Sequence, residues 1–376
     1  MARQSARVCG QCYYHARPQS FDAAGRCSQI KTQNGLKKLF VTGGAGFIGS
    51  AFVRLVLEEL PSCELINFDA LTYAGNLENL NGVDDARHEF IKGDICDRDA
   101  VLAALKDDVE AIVNFAAESH VDRSIHSAHE FIQTNVLGTQ VLLDAARERG
   151  VQRFIQVSTD EVMGSLPENE SAYFTEASPF EPNSPYAASK ASAEHLVRAA
   201  NHTFGLDTVI TRCGNNYGPR QFPEKFLPLM LANAFHDEPI PVYGDGLNVR
   251  DWIYVDDHCR AILRLLLHGR SGGTYNIGAR NEQRNIDVVH SVLDVLSKPR
   301  SLIQFVKDRP GHDRRYAIDP SLIESELGWR PRETWESGLR KTIEWYRDNT
   351  AWIERVRSGA YREYYARQYG MEATAS

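Results

Sequence analysis

Three groups of residues have types and spacing that could do chemistry. The run Thr42-Gly43-Gly44-Ala45-Gly46-Phe47-Ile48-Gly49 places glycines at 43, 46 and 49. Gly43 permits a tight turn, Gly46 lets the backbone approach a pyrophosphate, and Gly49 lets a following helix pack closely on the preceding strand. Phe47 and Ile48 open that helix, whose unpaired N–H groups and positive dipole end then face the phosphates. Asp69 lies twenty residues beyond Gly49. A carboxylate there hydrogen-bonds a ribose 2′-hydroxyl and repels a 2′-phosphate, so NAD is favoured over NADP.

The second group is Tyr186-Ala187-Ala188-Ser189-Lys190, whose i,i+4 spacing puts the phenol and the ammonium on one helix face. A phenol with a pKa near 10 is a poor base at neutrality. Lowering it by roughly three units takes about 4 kcal/mol of differential stabilisation, which a close ammonium and an oxidised nicotinamide ring could jointly supply. The third group is Asp160-Glu161, just after Ser158-Thr159. Two neighbouring carboxyls in one pocket push their proton affinities apart, so that one can be acid while the other is base. An ordinary helical pair and a pair of solvated loop acids are the plain alternatives. Both acids can serve one ligand only if the backbone turns at that point, because adjacent residues of an extended segment point apart.

These groups need elements to position them. Lys38–Thr42 is a short apolar run bounded by glycines, the mark of a buried strand, and Phe47, Ile48, Ala51, Phe52, Leu55, Val56 and Leu60 follow at helical spacing before Pro61. The alternation continues with strands at 64–68, 89–92, 111–115, 153–158 and 207–212, and helices at 101–105, 131–149 and 185–204. Repeated βα units predict an α/β fold with a doubly wound parallel sheet of the Rossmann type. Beyond Cys213 the chain is punctuated by Pro and Gly, as in Asn216-Tyr217-Gly218-Pro219 and Tyr243-Gly244-Asp245-Gly246. A smaller α/β substrate domain is expected over 213–376, after a dinucleotide-binding domain over 37–212, with some later segments returning to the first domain. Helices are expected at 261–267, 287–296 and 335–346.

Composition narrows the partners. With 376 residues, 43% of them hydrophobic and 24% charged, the chain can bury a core without staples. A net charge of −8, from 42 basic and 50 acidic residues, argues against nucleic acid. No apolar run is long enough to predict a membrane span. Seven cysteines, an odd number with no secretory leader before them, suit a reducing cytoplasm. Cys9, Cys12 and Cys27 could offer half of a zinc site, but no second CxxC follows, so no metal is expected. Residues 1–36 carry Arg3, Arg7, Arg17, Arg26 and Lys31 against a single acid, Asp22. They read as a disordered extension, with an organellar leader as the alternative.

Through Thr42–Gly49, Ser158-Thr159 and Tyr186/Lys190 the chain resembles the extended short-chain dehydrogenase/reductase family. Within it, Ser158-Thr159-Asp160-Glu161-Val162 is similar to the signature of the dTDP-glucose 4,6-dehydratase branch; epimerases and decarboxylases lack the acid pair. The segments Ala116–Asp122, Asn215–Pro219, Phe222–Lys225, Arg250–Trp252, Tyr275–Gly278 and Asp308–Tyr316 resemble the same branch, over about Lys38 to Tyr369. One departure is Met163, where the branch usually has tyrosine.

The resemblance implies dTDP-glucose as substrate and a bound NAD as cofactor. Tyr186, aided by Thr159, would take the C4 hydroxyl proton as hydride leaves, which acidifies C5–H; Glu161 would remove that proton, Asp160 would protonate the departing C6 hydroxyl, and hydride would return to C6. It further implies that Thr72, Asp94, Ile95, Ala116, Ala117, Ser119, Thr134 and Asn216 contact the cofactor with Tyr186 and Lys190. For the sugar nucleotide it implies Ser119, His120, Thr159, Asn215, Lys225, Phe226, Pro241, Tyr243, Arg250, Asn276, Arg309 and His312. Arg250 is the leading diphosphate ligand, since a guanidinium fork suits phosphate oxygens, with a salt bridge to Asp251 or Asp256 as the plain alternative. A homodimer through helices 131–149 and 185–204 is implied as well. A UDP-sugar dehydratase, a 4-epimerase and a silent NAD-binding regulator remain as alternatives.

Overall fold

The apolar run Lys38–Thr42 becomes β1, central in the sheet because its alternate residues bury on both faces: Leu39 and Val41 on one, Phe40 on the other. The computed structural model describes residues 35–84, 86–168 and 171–357; the expectations for Cys9, Cys12, Cys27 and the basic extension lie outside the described residues. From β1 the chain runs through α1 (Phe47–Glu59), β2 (Glu64–Asp69), β3 (His88–Lys92), α2 (Arg98–Ala104) and β4 (Ala111–Asn114). Next come α3 (Val121–His126), the single turn α4 (His129–Phe131), α5 (Thr139–Arg149), β5 (Arg153–Thr159), α6 (Pro185–Phe204), β6 (Asp207–Cys213) and β7 (Asn215–Tyr217). The remainder comprises α7 (Phe226–Phe235), β8 (Ile240–Tyr243), β9 (Val249–Tyr254), α8 (Val255–His268), β10 (Gly273–Ile277), β11 (Glu282–Arg284), α9 (Asn285–Val295), β12 (Ile303–Val306), α10 (Ser321–Leu327), α11 (Trp335–Asp348) and α12 (Thr350–Val356).

Among the described residues seven strands form one parallel sheet in the order β10-β6-β5-β4-β1-β2-β3. The order reverses between β1 and β4, so the crevice for a ligand opens at their carboxyl ends. α6 begins and ends where its sequence dictates. Ser184 caps it by accepting from the Ala187 N–H, Pro185 fills the first turn, and Gly205 closes it in the left-handed conformation.

Later segments cross residue 213 back to the first sheet: β10 pairs in parallel with β6, and α8 packs on α1, burying Ile262, Leu265 and Leu266 in the core under that sheet. That return satisfies the exposed edge of β6. The expected helix over 131–149 is interrupted by a π-helical stretch over Ile132–Gly138. Its wider turn keeps the apolar spacing of a helix, so the pattern conceals it. A separate core, around Tyr217, Trp252, Trp335 and Tyr346, organises the second lobe with the sheet β11-β9-β7 and the parallel pair β12-β8.

Candidate active site

At the switch point the chain encloses a continuous cavity of about 350 Å³. The glycine run shapes one end. Gly43 has φ +68°, and a Cβ there would sit 2.6 Å from the Ala116 nitrogen; a Cβ on Gly49 would strike the Gly43 carbonyl oxygen. No side chain caps the start of α1 and no acid lies in its first turn, which leaves its N–H groups for a ligand. Asp69 ends β2 on the cavity wall, accepting from the N–H groups of Ala45 at 2.9 Å and Leu71 at 2.8 Å. One carboxylate oxygen thus braces the glycine turn and the other the loop after β2. An uncapped helix start, glycines that no Cβ could replace and a carboxylate at the next strand end together fit a dinucleotide.

Every residue expected to hold the dinucleotide lines this one cavity: Gly43, Gly46, Phe47, Ile48, Gly49, Asp69, Thr72, Asp94 and Ile95 at one end, then Ala116, Ala117, Ser119, Thr134, Tyr186, Lys190 and Asn216. Thr134 reaches the wall from the π-helical stretch. Its neighbour Asn135, which sequence reasoning missed, donates to the Glu118 carbonyl and to Ser189 and accepts from the Glu118 N–H, tying this stretch to α6 and to the loop after β4.

The decisive turn follows β5. Thr159 caps a single 3₁₀ turn, Asp160–Met163, by accepting from the Glu161 N–H at 3.3 Å. Thr159, Asp160 and Glu161 thereby all face the cavity beside Tyr186. Asp160 is buried, takes one hydrogen bond from Thr159 Oγ1 at 3.2 Å, and leaves Oδ2 with no partner among the described residues. Burial, then Glu161, pushes its carboxyl well above the usual range. Glu161 is also raised by burial, but Arg309, Lys225 and Arg250 pull it back. The two acids thus differ in proton affinity, with the proton favouring Asp160.

The family profile for GDP-mannose 4,6 dehydratase matches residues 40–342. A dTDP-glucose 4,6-dehydratase of Neisseria meningitidis serogroup B is 51% identical over 351 residues, 87% of this chain and 98% of the relative. The chain belongs to this dehydratase family. The crystal structure of DesIV, the dTDP-glucose 4,6-dehydratase of Streptomyces venezuelae determined with NAD bound, has a TM-score of 0.82 and 51% identity, covering 85% of this chain and 99% of that one. The UDP-glucose 4-epimerase of Thermus thermophilus, also with NAD, has a TM-score of 0.77 at 31% identity, covering 83% and 99%.

In this dehydratase fold Lys190 lines the cavity one helical turn beyond Tyr186. Its ammonium donates to the Val157 carbonyl at 2.6 Å, and burial lowers its pKa to about 8. Burial followed by Glu161 raises Tyr186 well above the ordinary phenol, with the Thr159 hydroxyl opposing. The protein alone therefore keeps Tyr186 protonated.

The residues expected to hold the sugar nucleotide divide into two sets. Ser119, Thr159, Asn215, Lys225 and Phe226 line the cavity, and Lys225 Nζ donates to the Ser119 carbonyl at 2.5 Å. His120, Pro241, Tyr243, Arg250, Asn276, Arg309 and His312 are not on its wall. Arg309, Tyr243 and His312 gather in a charged shell beside Glu161. There Arg309 donates to Asp122 at 2.6 Å, Tyr243 donates to the same carboxylate at 3.0 Å, and His312 pairs with Asp308 at 2.6 Å. Pro241 lies on β8 two residues before Tyr243. His120 caps α3 and is held neutral by burial, its pKa lowered to about 3.

The structure corrects the plain alternative for the Arg250 head group. That guanidinium makes no salt bridge to Asp251 or Asp256; it donates to the carbonyls of Val249, Asp313 and Arg314 and lies 4.2 Å over the Tyr316 ring. Its charge reaches Glu161 while its hydrogen bonds hold the loop. Asn276 likewise donates to the Phe174 carbonyl, leaving Oδ1 without a partner among the described residues. Met163 lies outside the cavity, in a cluster with Val162, Phe174, Ala191 and Tyr316, and its sulfur accepts from Arg212 at 3.5 Å. Asp122 and Glu224 sit inside the matched motifs, yet sequence reasoning gives them no role. Buried carboxylates within strings of matched residues are the signal that could have found them.

Proposed function

We propose that the protein converts dTDP-glucose to dTDP-4-keto-6-deoxyglucose and water. The observation that carries this reading is the turn after β5, which brings two carboxyls of unequal proton affinity to the same cavity as Thr159 and Tyr186. NAD⁺, when bound, supplies a hydride acceptor for C4 and the same hydride for C6. Tyr186, its phenol pKa lowered by the positive nicotinamide ring that the cofactor would place beside it, takes the C4 hydroxyl proton as the phenolate. With C4 a ketone, the C5 hydrogen becomes acidic and Glu161 removes it, its base form maintained by Arg309, Lys225 and Arg250. Asp160, kept protonated by burial, gives its proton to the departing C6 hydroxyl. Glu161 then returns its proton to C5. The Thr159 hydroxyl, which donates to Asp160 and faces the same cavity as Tyr186, offers a path by which the proton taken at C4 restores Asp160. Protons and hydride balance without an external oxidant.

Arg309 and Lys225 are the cations for the diphosphate, with Arg250 adding charge from behind, and the Tyr243–His312 edge contact, with rings 6.0 Å apart, forms the side toward the base. Among the described residues no helix is long and apolar enough to cross a membrane, and Cys63, Cys96, Cys213 and Cys259 are all free thiols, which suits a reducing compartment. Ile132, Leu137 and Phe204 are exposed apolar groups on the helices that would join two copies. A homodimer is therefore expected, and a monomer on sizing at working concentration would contradict it.

The test is incubation of the purified protein with dTDP-glucose deuterated at C4, with UDP-glucose in parallel. The expected product is a 4-keto-6-deoxy sugar carrying deuterium in its methyl group. A methyl group free of the label would overturn the scheme, and faster turnover of UDP-glucose would overturn the base assignment.

A further inference from the structure

Along the catalytic floor a row of polar groups runs from the buried His258 on α8 to the end of β5. His258 Nδ1 lies 2.8 Å from Asn216 Oδ1. Asn216 Nδ2 lies 3.2 Å from the Gly214 carbonyl and 3.4 Å from Cys213 Sγ, and Cys213 Sγ lies 3.4 Å from the Ser158 carbonyl. The direction of each bond is fixed by what its partner can do. Gly214 offers only an acceptor, so the amide nitrogen of Asn216 must face it and the amide oxygen must face His258. That oxygen in turn needs a donor, so Nδ1 carries the ring proton. The thiol receives from Asn216 and donates to Ser158. All the bonds point from the helix toward the strand.

His258 is fully buried, and burial lowers its pKa to about 3, so the ring is neutral. Its Nε2 finds no hydrogen-bond partner among the described residues. A buried acceptor without a donor costs about 1–3 kcal/mol, which a phenylalanine in the same space would not incur. Packing alone does not account for a histidine here. At the other end of the row Cys213 stands opposite Thr159 in the β5–β6 register, while Lys190 holds the carbonyl of Val157. The last peptides of β5 are thus gripped from both sides just before the chain turns into Asp160.

We propose that His258 is a positioning residue for the reaction, acting through Asn216 and Cys213 to fix the Ser158 carbonyl and so set Thr159 against Tyr186. This rests on the proposed oxidation at C4, the step in which Thr159 and Tyr186 take part.

The test compares variants of the full-length protein with its cofactor. His258→Asn places an amide N–H where Nδ1 was, His258→Gln places one where Nε2 was, and His258→Phe keeps the ring without a donor. Loss of one neutral hydrogen bond predicts that kcat falls about three- to tenfold for the Phe and Gln variants with KM within about twofold, and that the Asn variant recovers most of the loss. The transient near-ultraviolet absorbance of reduced nicotinamide in a single turnover slows by the same factor. His258→Phe combined with Cys213→Ala is no slower than the slower single variant, because both break one row. Should the Phe variant fail to fold, the Asn and Gln pair decides alone. Equal rates for Asn and Gln, kcat that tracks the melting temperature across variants, or additive losses in the double variant would overturn the inference while wild-type turnover stands. A wild-type protein that forms no 4-keto product would instead overturn the reaction, and the inference with it.

Discussion

The end of the cleft shaped by the glycine run and the end occupied by Glu161 are made of different materials. At the first, backbone does the work: an uncapped helix start, a left-handed glycine and one carboxylate braced by two amides. All of it comes from one strand-turn-helix unit and the strand that follows. At the second, long charged side chains arrive from segments far apart in sequence, and each is held by another charge or by a carbonyl: Asp122 by Arg309, Lys225 by Ser119, Arg250 by three backbone oxygens. A site for an invariant pyrophosphate can be rigid and local. A site in which two carboxyls must differ in acidity depends on cations that only the folded chain brings together.

The contrast predicts where substitutions act. Asp160→Asn and Glu161→Gln are expected to lower kcat by roughly 10²–10⁴-fold, the usual range for losing a positioned acid or base, while exchange of label at C4 persists. Were the protein a 4-epimerase, turnover would survive both changes. In the wild type, kcat/KM should fall on the acid side as Glu161 gains a proton, at a pH above the ordinary glutamate range. On the alkaline side it should fall as Asp160 loses its proton. Glu161→Gln should abolish the acid limb, and a profile unchanged by it would remove Glu161 from the base role.

At the backbone end, Gly43→Ala forces a left-handed alanine and a clash with Ala116. It should cost roughly 1–2 kcal/mol or more in stability and lower the NAD retained through desalting. Asp122→Asn probes the opposite end. With the charge that orients Arg309 removed, KM for dTDP-glucose should rise about tenfold with little change in retained NAD. If both substitutions affected cofactor retention equally, the two ends would not be separable. Met163→Tyr should have the smallest effect, since Met163 faces the Tyr316 cluster and not the cavity. kcat should stay within about twofold, with any cost appearing as core overpacking of about 1–3 kcal/mol in thermal stability.

The same division governs what the sequence could reveal. The glycine turn, Asp69 and the capped helix from Pro185 to Phe204 were legible because their signals are local: turn glycines, a strand end, Ser184 before Pro185. The alternating apolar runs likewise marked the strands β1 to β6 within a residue or two. The 3₁₀ turn at Asp160 is a requirement of the chemistry that spacing cannot predict, since it rests on the cap that Thr159 offers once β5 is paired. The π-helical stretch stayed hidden behind a helical apolar period. Pairing of Asp122 with Arg309, of Lys190 with Val157, and of Arg250 with backbone carbonyls depends on the meeting of distant segments, which no spacing encodes.

The late arrival of β10 beside β6 has a consequence for how the molecule is made. During synthesis the ribosome releases β6, then β7, α7, β8, β9 and α8, before the strand that closes its edge exists. Until Gly273–Ile277 emerges, that flank of the nascent sheet offers a row of unsatisfied amides to any neighbouring chain. Truncation upstream of Gly273 should therefore yield aggregates and not a free-standing cofactor lobe, and neither half of the cleft should mature before nearly the whole chain has been translated.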